Sequence, residues 1–198
     1  MKYLNSTCSP KIKSLIGEIR GKWGDRRNIA YWCQDEARLG FRTEPGQKIT
    51  LKGVKPQQTL QWHYDFYYIY GWVEPFGGRS FFDEFSYFNS SLLGLYLEEL
   101  APKHQDEIHI IQLDNAPCHT ANKLVVPENV IWLFQLTYCP ELNPVERVWQ
   151  YLKRQIKTLR FNGLEDLRNQ VANCLNNLSK DIITSFTGWQ HILDALSL

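Results

Sequence analysis

Three acidic residues, Asp35, Asp114 and Glu146, occupy positions where carboxylates could do chemistry, because each lies at the end or the beginning of a predicted element. Carboxylate oxygens are the ligands that Mg²⁺ prefers in proteins. Two such cations, roughly 3.5–4 Å apart, activate a water and stabilise the charge that develops when a phosphodiester is cleaved. The sequence therefore raises the hypothesis of a two-cation site that cuts nucleic acid.

Each of these carboxylates also has a purely structural interpretation. Asp114 and Asn115 precede Ala-Pro, which is favourable turn chemistry, and Asp35 fits a polar residue that ends a strand. Residues 143–146, Asn-Pro-Val-Glu, match a helix start with asparagine as N-cap, proline at N1 and Glu146 at N3 of a capping box. Local sequence alone favours the cap for Glu146. The metal hypothesis is favoured only because all three acids are predicted to lie at the ends of elements around one sheet.

His119 and Cys118 lie close to the second acid in sequence. His119 follows Asp114 by five residues and fits either a role in orienting the site or donating to a phosphate, or a histidine in the first turn of a short helix. Cys118 is interpreted as a small buried residue, because nothing near it indicates the Cys–His partnership that nucleophilic catalysis needs. The five cysteines are scattered without a Cys-x-x-Cys pair, which argues against a zinc site and a disulfide framework.

Composition indicates a folded globular chain. Its 198 residues are enough for one domain, 43% of them are hydrophobic and 14% aromatic, and the formal net charge is +1. Such a near-neutral balance means that any nucleic-acid contact must come from local basic patches. No signal peptide is visible, and no apolar run approaches the ~20 residues of a membrane helix. These features predict a cytoplasmic protein without membrane contact.

Hydrophobic periodicity predicts an α/β chain with alternating strands and helices. Along the strand that leads to Asp35, the residues Ile29, Tyr31 and Cys33 share one face with the acid, while Glu36 points the other way. The strand–helix–strand order of the second half favours parallel pairing with right-handed crossovers. Strands are predicted at residues 28–35, 59–73, 79–85, 107–113 and 129–134. Helices are predicted within 1–27, at 89–101, near 117–124, at 144–160 and 163–178, and in the tail 180–198.

Three segments follow from this order: a basic N-terminal segment over 1–27, a core over 28–160, and C-terminal helices over 161–198 that pack on the core. The loop-rich stretch 40–58 fits either a solvated hairpin or a basic flap that touches phosphates. The candidate DNA-contacting residues are Arg38, Arg42, Lys48, Lys52 and Lys55 before and within this stretch, and Arg147, Lys153, Arg154 and Lys157 after the third acid.

Three motifs together resemble the catalytic domain of a DDE transposase of the mariner superfamily, in its bacterial insertion-sequence branch. They are Gln-Asp-Glu-Ala-Arg-Leu-Gly at 34–40, Leu-Asp-Asn-Ala-Pro-Cys-His-Thr at 113–120 and Tyr-Cys-Pro-Glu-Leu-Asn-Pro-Val-Glu-Arg-Val-Trp at 138–149. The resemblance covers about residues 28–160. It implies an RNase H-like fold, in which a mixed five-stranded sheet carries helices on both faces.

The resemblance also implies roles for the three acids. Asp35, Asp114 and Glu146 become the first, second and third ligands of two Mg²⁺ or Mn²⁺ ions, the first two on adjacent central strands and the third on the last core helix. The interval from Asp114 to Glu146 is slightly short for the family. Asn115, His119 and Asn143 are the residues expected to support the site.

The implied reaction is cleavage of double-stranded DNA at transposon ends, followed by attack of the freed 3′-hydroxyl on target DNA. The family implies a homodimer or larger multimer acting at the bacterial nucleoid. Its members usually carry helix-turn-helix modules first, and the segment from Met1 to Asp35 is too short to hold two of them. We therefore expect a split-frame product with a separate DNA-recognition polypeptide, or a fragment.

Two alternatives remain open from the sequence. One is a truncated, non-catalytic fragment of a transposase that binds DNA or oligomerises. The other is a host RNase H-like nuclease that acts on RNA–DNA hybrids, against which the long second and third motifs argue.

Overall fold

A computed structural model describes residues 4–5, 9–23, 28–41, 51–55, 65–86, 94, 97, 104–114, 126–136, 139–157 and 159–196. The strands in these residues are β1 (Leu4–Asn5), β2 (Asn28–Gly40), β3 (Phe66–Val73), β4 (Ser80–Phe85), β5 (Glu107–Leu113) and β6 (Val130–Phe134). The helices are α1 (Ser9–Trp23), α2 (Val145–Ile156), α3 (Leu164–Asn176), α4 (Lys180–Thr187) and α5 (Gln190–Leu196). A single 3₁₀ turn, Pro140–Leu142, precedes α2.

The strands form one mixed sheet in the order β1-β6-β5-β2-β3-β4. Strands β2, β3 and β4 pair antiparallel as a meander, whereas β2 with β5, β5 with β6 and β6 with β1 pair parallel. Five strands, β2 to β6, therefore make up the mixed sheet of the predicted RNase H-like fold, and the very short β1 extends one edge.

Alternation along the strands gives the sheet two apolar faces. Tyr31 and Cys33 of β2 belong to the first face, which α1 to α5 cover, whereas Trp32 of the same strand belongs to the second face. Of the predicted helix 89–101 the structure describes Gly94 and Leu97, both helical, and Leu97 is fully buried on the second face. Both faces of the sheet are thus withdrawn from water, as expected for a sheet with parallel strands.

Helix α2 supplies the packing most relevant to the site. Its buried residues Val145, Val148, Trp149 and Leu152 follow helical spacing and all lie in the core of the first face. Full burial of an aliphatic side chain contributes about 1.5–3 kcal/mol, so this stripe holds α2 firmly on the sheet.

Several predicted boundaries differ from the structure. Strand β2 continues to Gly40, beyond its predicted end at Asp35, because residues 34–40 pair with β3 after the pairing with β5 ends at Cys33. The tail 180–198 contains two helices, which separate near Gly188. The predicted segment 117–124 and most of 59–65 lie outside the described residues.

The start of α2 agrees in part with the prediction. The helix as assigned begins at Val145, after Pro144. Asn143, the predicted cap, accepts the Val145 N–H at its side-chain oxygen at 3.4 Å, while its amide nitrogen donates to the Gln34 carbonyl oxygen of β2 at 2.8 Å. The backbone N–H of Asn143 donates to the Pro140 carbonyl oxygen, so Glu146 does not complete a capping box.

Gly71 of β3 lies directly beneath the Trp149 indole of α2. A Cβ atom at this position would lie 2.6 Å from Cζ2 of the Trp149 indole, which is buried and has little freedom to move. We expect Gly71→Ala to lower the free energy of unfolding by about 1–3 kcal/mol through overpacking. Thermal or urea unfolding measures this change.

The matched control is Gly17→Ala in α1, where a Cβ would meet nothing within 4 Å. This substitution should leave stability unchanged or raise it by up to about 1 kcal/mol, because alanine is the better helix former. Equal effects of the two substitutions would contradict the proposed contact between position 71 and Trp149.

Candidate active site

The pairing register of β2 with β5 places Asp35 beside Asp114. This parallel ladder pairs Asn28 with Glu107 and runs without interruption to Cys33 with Gln112. The same register continued by two steps along each strand brings Asp35 level with Asp114. Parallel neighbours point to the same face of a sheet. The two aspartates therefore occupy equivalent positions on the first face, just beyond the last paired residues.

Trp149 contacts Asp35 directly. Its indole Nε1 donates to Oδ2 of Asp35 at 3.0 Å, and the same indole lies over Gly71, the β3 partner of Asp35 in the antiparallel ladder. The Phe82 ring packs against this indole with centroids 5.9 Å apart, in an edge-to-face arrangement. The absence of a side chain at position 71 thus gives the indole the space from which it reaches the carboxylate.

Burial and like charges raise the pKa of the Asp35 carboxyl well above its ordinary value. Burial is the largest cause, and the charges of Glu36 and Glu146 add to it. The backbone N–H of Glu36 and the indole of Trp149 act in the opposite direction, because hydrogen bonds to a carboxylate stabilise its ionised form. The third acid therefore lies within electrostatic range of the first.

Two buried amide side chains fix the loop that precedes Glu146. Gln112 of β5 donates to the Leu142 carbonyl oxygen at 2.7 Å, and Asn143 donates to the Gln34 carbonyl oxygen at 2.8 Å. Gln112 Oε1 also accepts from the Tyr31 hydroxyl at 2.6 Å. One side chain therefore ties the loop to β5, just before Asp114, and the other ties it to β2, just before Asp35. This positions Glu146, in the first turn of α2, relative to both aspartates.

The surroundings of the candidate carboxylates suit a hard divalent cation. The side chains of Asp35, Asp114 and Glu146 are each partly buried. The charged groups that shift the pKa of Asp35 are both acidic, and no basic side chain is among them. In the described part of the chain, no three or more His, Cys, Asp or Glu side chains lie close enough to hold a metal ion together. Mg²⁺ needs only one or two protein carboxylates besides water and substrate oxygens, so the donor set fits.

The remaining predicted residues divide into three groups. Asn115, His119, Arg42 and Lys48 lie outside the described residues. Arg38 is exposed with its guanidinium 3.8 Å from the centre of the Phe66 ring, and Lys52 and Lys55 are exposed in the turn 51–55. The four basic residues after the third acid, Arg147, Lys153, Arg154 and Lys157, are all exposed on or just after α2. These four follow a candidate site carboxylate on the same helix.

Sequence reasoning missed the partners of the site acids. Trp149 was assigned to the buried stripe of α2, and its position three residues after Glu146 was the available signal for a role near the acids. Gln112 was not identified, although it directly precedes the Leu-Asp-Asn motif in the run Ile-His-Ile-Ile-Gln-Leu, where a polar residue interrupts an apolar strand. Both act through contacts between residues far apart in sequence, which local patterns do not encode.

None of the helices that the structure describes is long and apolar enough to cross a membrane. The longest of them, α1, has 15 residues.

Comparison with known sequences relates the chain to a family and to a curated relative. A family model described as "DDE superfamily endonuclease" matches residues 30–168. The chain is 36% identical over 113 residues to the uncharacterized protein y4pE/y4sA of Sinorhizobium fredii (strain NBRC 101917 / NGR234). That match covers 56% of this chain and 84% of the relative.

Comparison with solved structures supports the same fold. The catalytic domain of Mos1 mariner transposase aligns with a TM-score of 0.59 and 14% identity over 96% of this chain and 88% of that domain. The Mos1 mariner paired end complex with Mn aligns with a TM-score of 0.64 and 14% identity, again over 96% of this chain. The chain spans 59% of the transposase chain in that complex. The predicted RNase H-like fold of a mariner transposase catalytic domain is confirmed.

Asp35→Asn should stabilise the metal-free protein at neutral pH, because it removes a partly buried charge beside two other acids. The pKa of Asp35 is raised in the folded state, so ionisation opposes folding once the pH exceeds the unfolded value of about 3.8. We expect the stability gap between variant and parent to grow as the pH rises from about 4 through the folded pKa. Urea unfolding at several pH values measures it. Asp106→Asn, in an exposed turn, is the control, and a pH-independent gap for Asp35→Asn would contradict the site geometry.

Trp149→Phe should raise the pKa of Asp35 further, because it keeps an aromatic ring over Gly71 but removes the N–H donor. A hydrogen bond to a charged group contributes about 1.5–3 kcal/mol, so a measurable shift is expected. Carboxyl-selective NMR titration of Asp35 measures the shift. The matched control is Trp189→Phe, whose indole donates to the Phe186 carbonyl oxygen instead. An unchanged Asp35 titration in Trp149→Phe would disprove the role of the indole.

Proposed function

The chain belongs to the DDE superfamily of endonucleases, and we propose that it is a transposase catalytic domain that cleaves DNA strands at transposon ends and transfers them to target DNA. The observation that carries this proposal is the β2–β5 register, which, continued two residues beyond its last pair, would bring Asp35 level with Asp114. The charge of Glu146 also acts on Asp35. Metal-dependent phosphodiester cleavage requires carboxylate ligands for its cations, and three carboxylates from three elements at one face of an RNase H-like sheet would supply them.

Asp35, Asp114 and Glu146 would hold two Mg²⁺ or Mn²⁺ ions in this proposal. When bound, the ions supply an activated water and stabilise charge on the reacting phosphate and the leaving oxygen. The Trp149 indole N–H donates to Oδ2 of Asp35 and orients this carboxylate. Gln112 and Asn143 hold the loop before Glu146, so that the third carboxylate stays on the aspartate side of the sheet.

The reaction balances as two successive substitutions at phosphorus. Water attacks a phosphodiester at the transposon end and releases a 3′-hydroxyl and a 5′-phosphate. That 3′-hydroxyl then attacks a phosphodiester of target DNA, forming one new ester bond as another breaks.

Recognition and assembly belong to the same proposal. The chain spans about three-fifths of the transposase chain it matches, so a longer polypeptide or a separate one would supply the end-recognition modules. Double-stranded DNA would lie against exposed basic residues such as Lys153 and Lys157 of α2, and a homodimer or multimer in the bacterial cytoplasm would pair two ends. Residues 28–160 would form the catalytic core, preceded by a basic segment over 1–27 and followed by C-terminal helices over 161–198 that pack on the core.

Plasmid nicking with Mg²⁺ or Mn²⁺ tests the catalytic role of the three acids. We expect Asp35→Asn, Asp114→Asn and Glu146→Gln each to lower the nicking rate at least about a hundredfold, because each removes a charged ligand of a cation that stabilises the transition state. Asp106→Asn should nick like the parent. Chelation with EDTA should abolish the parent activity.

The outcomes separate the candidate functions. Nicking that survives all three substitutions would indicate a contaminating nuclease or a different site. Metal binding without nicking would favour a non-catalytic DNA-binding fragment. Faster cleavage of an RNA–DNA hybrid than of duplex DNA would favour an RNase H-like nuclease over a transposase.

A further inference from the structure

A cleft separates α2 from α4. Its volume is about 360 Å³, which is the size of a site for one small molecule rather than for a helix or a duplex. Arg147, Gln150, Tyr151 and Arg154 line it from α2, at helical offsets of three, four and seven. Such offsets place these four side chains along one face of the helix. The cleft starts at the residue that follows Glu146.

The α2 face of the cleft carries positive charge that no neighbouring acid neutralises. Arg147 and Arg154 are exposed, and with the other described residues neither guanidinium forms an ion pair or a hydrogen bond. None of the described residues that line the cleft is acidic. The two arginines lie two helical turns apart, about 10.5 Å along the axis. Guanidinium groups in this arrangement suit an extended anion with several phosphates.

Aromatic side chains line the cleft between and opposite these arginines. The Tyr151 and Phe186 rings lie with centroids 5.2 Å apart, and Trp189 is held by the hydrogen bond from its Nε1 to the Phe186 carbonyl oxygen at 3.3 Å. All three rings are partly buried, so part of each remains accessible. Aromatic faces next to unpaired arginines are the combination that binds single-stranded nucleic acid, because bases stack on the rings while phosphates contact the cations.

We propose that this cleft binds an unpaired nucleotide of a DNA strand, with the base stacked on Tyr151 or Trp189 and the flanking phosphates at Arg147 and Arg154. The choice of DNA rests on the proposed function. A base inside a duplex offers its edges in the grooves and keeps its faces stacked, so only an unpaired base can present a face to these rings. The cleft would hold the strand next to the bond that is cut, beside Glu146.

Fluorescence anisotropy in EDTA tests the proposal without any cleavage. The probes are a labelled oligothymidylate strand, the same strand with abasic sites in place of the bases, and a duplex of equal length. We expect the parent to bind the intact strand at least about fivefold more tightly than the abasic strand, since stacking adds to the phosphate contacts. The duplex should also bind more weakly than the intact strand.

Two sets of variants assign the contacts. The double variant Arg147→Gln, Arg154→Gln should bind the intact and the abasic strand at least about tenfold more weakly than the parent. The slope of the logarithm of the binding constant against the logarithm of the salt concentration should become shallower by about 1.4, which corresponds to the loss of two phosphate contacts on a single strand. Tyr151→Leu with Trp189→Leu should remove the preference for the intact strand over the abasic strand but retain the salt slope. Lys13→Gln, an exposed residue of α1 that does not line the cleft, is the charge control and should bind like the parent.

The opposite results would overturn the inference. Equal binding of intact and abasic strands by the parent would mean that the cleft recognises charge alone, and competition by heparin equal to that of the strand would mean the same. Binding unchanged by the arginine pair would place the strand elsewhere. The binding assay contains EDTA and measures no cleavage, so its result does not depend on whether Asp35→Asn, Asp114→Asn or Glu146→Gln loses nicking. The proposed function and this inference can therefore fail separately.

Discussion

The parallel register of β2 and β5 is the constraint on which the site depends. The ladder, continued two residues beyond its last pair, sets Asp35 level with Asp114, and a shift by a single position would move one of the two acids to the opposite face of the sheet. The register is fixed by apolar residues on both faces, including Tyr31 with Ile110 and Trp32 with Ile111. The hydrophobic core therefore determines the alignment of the polar groups.

Asp35 is held in surroundings that disfavour its charge, which costs folding energy. The raised pKa of Asp35 expresses that cost, because burial first and the charges of Glu36 and Glu146 second favour its protonated form. The protein offsets part of it with the indole N–H of Trp149 and the backbone N–H of Glu36 rather than with a basic side chain. A lysine or arginine paired with Asp35 would stabilise the fold more, but it would occupy the oxygen atoms that a cation needs. Destabilisation of this kind is common where a site is built for an external charge.

Much of this organisation was predictable from sequence because it depends on local periodicity. Strand β5 was predicted at its observed bounds, and the α2 stripe from Val145 to Leu152 follows the helical repeat. The end of β2 was missed, because pairing with β3 extends that strand beyond Asp35. The bond of Asn143 to Gln34 and that of Trp149 to Asp35 join residues more than half the chain apart in sequence, and no local pattern specifies such partners.

Gly71 and Trp149 fit together as a space and the ring that fills it. The indole occupies the volume that any side chain at position 71 would need, and from there it reaches the carboxylate on the neighbouring strand. A larger residue at 71 would displace the donor, and a smaller residue at 149 would leave an empty hole over the strand. Positions 71 and 149 should therefore covary in evolution. Related sequences that differ at one of them should also differ at the other, and those that keep Asp35 should keep both the glycine and the tryptophan.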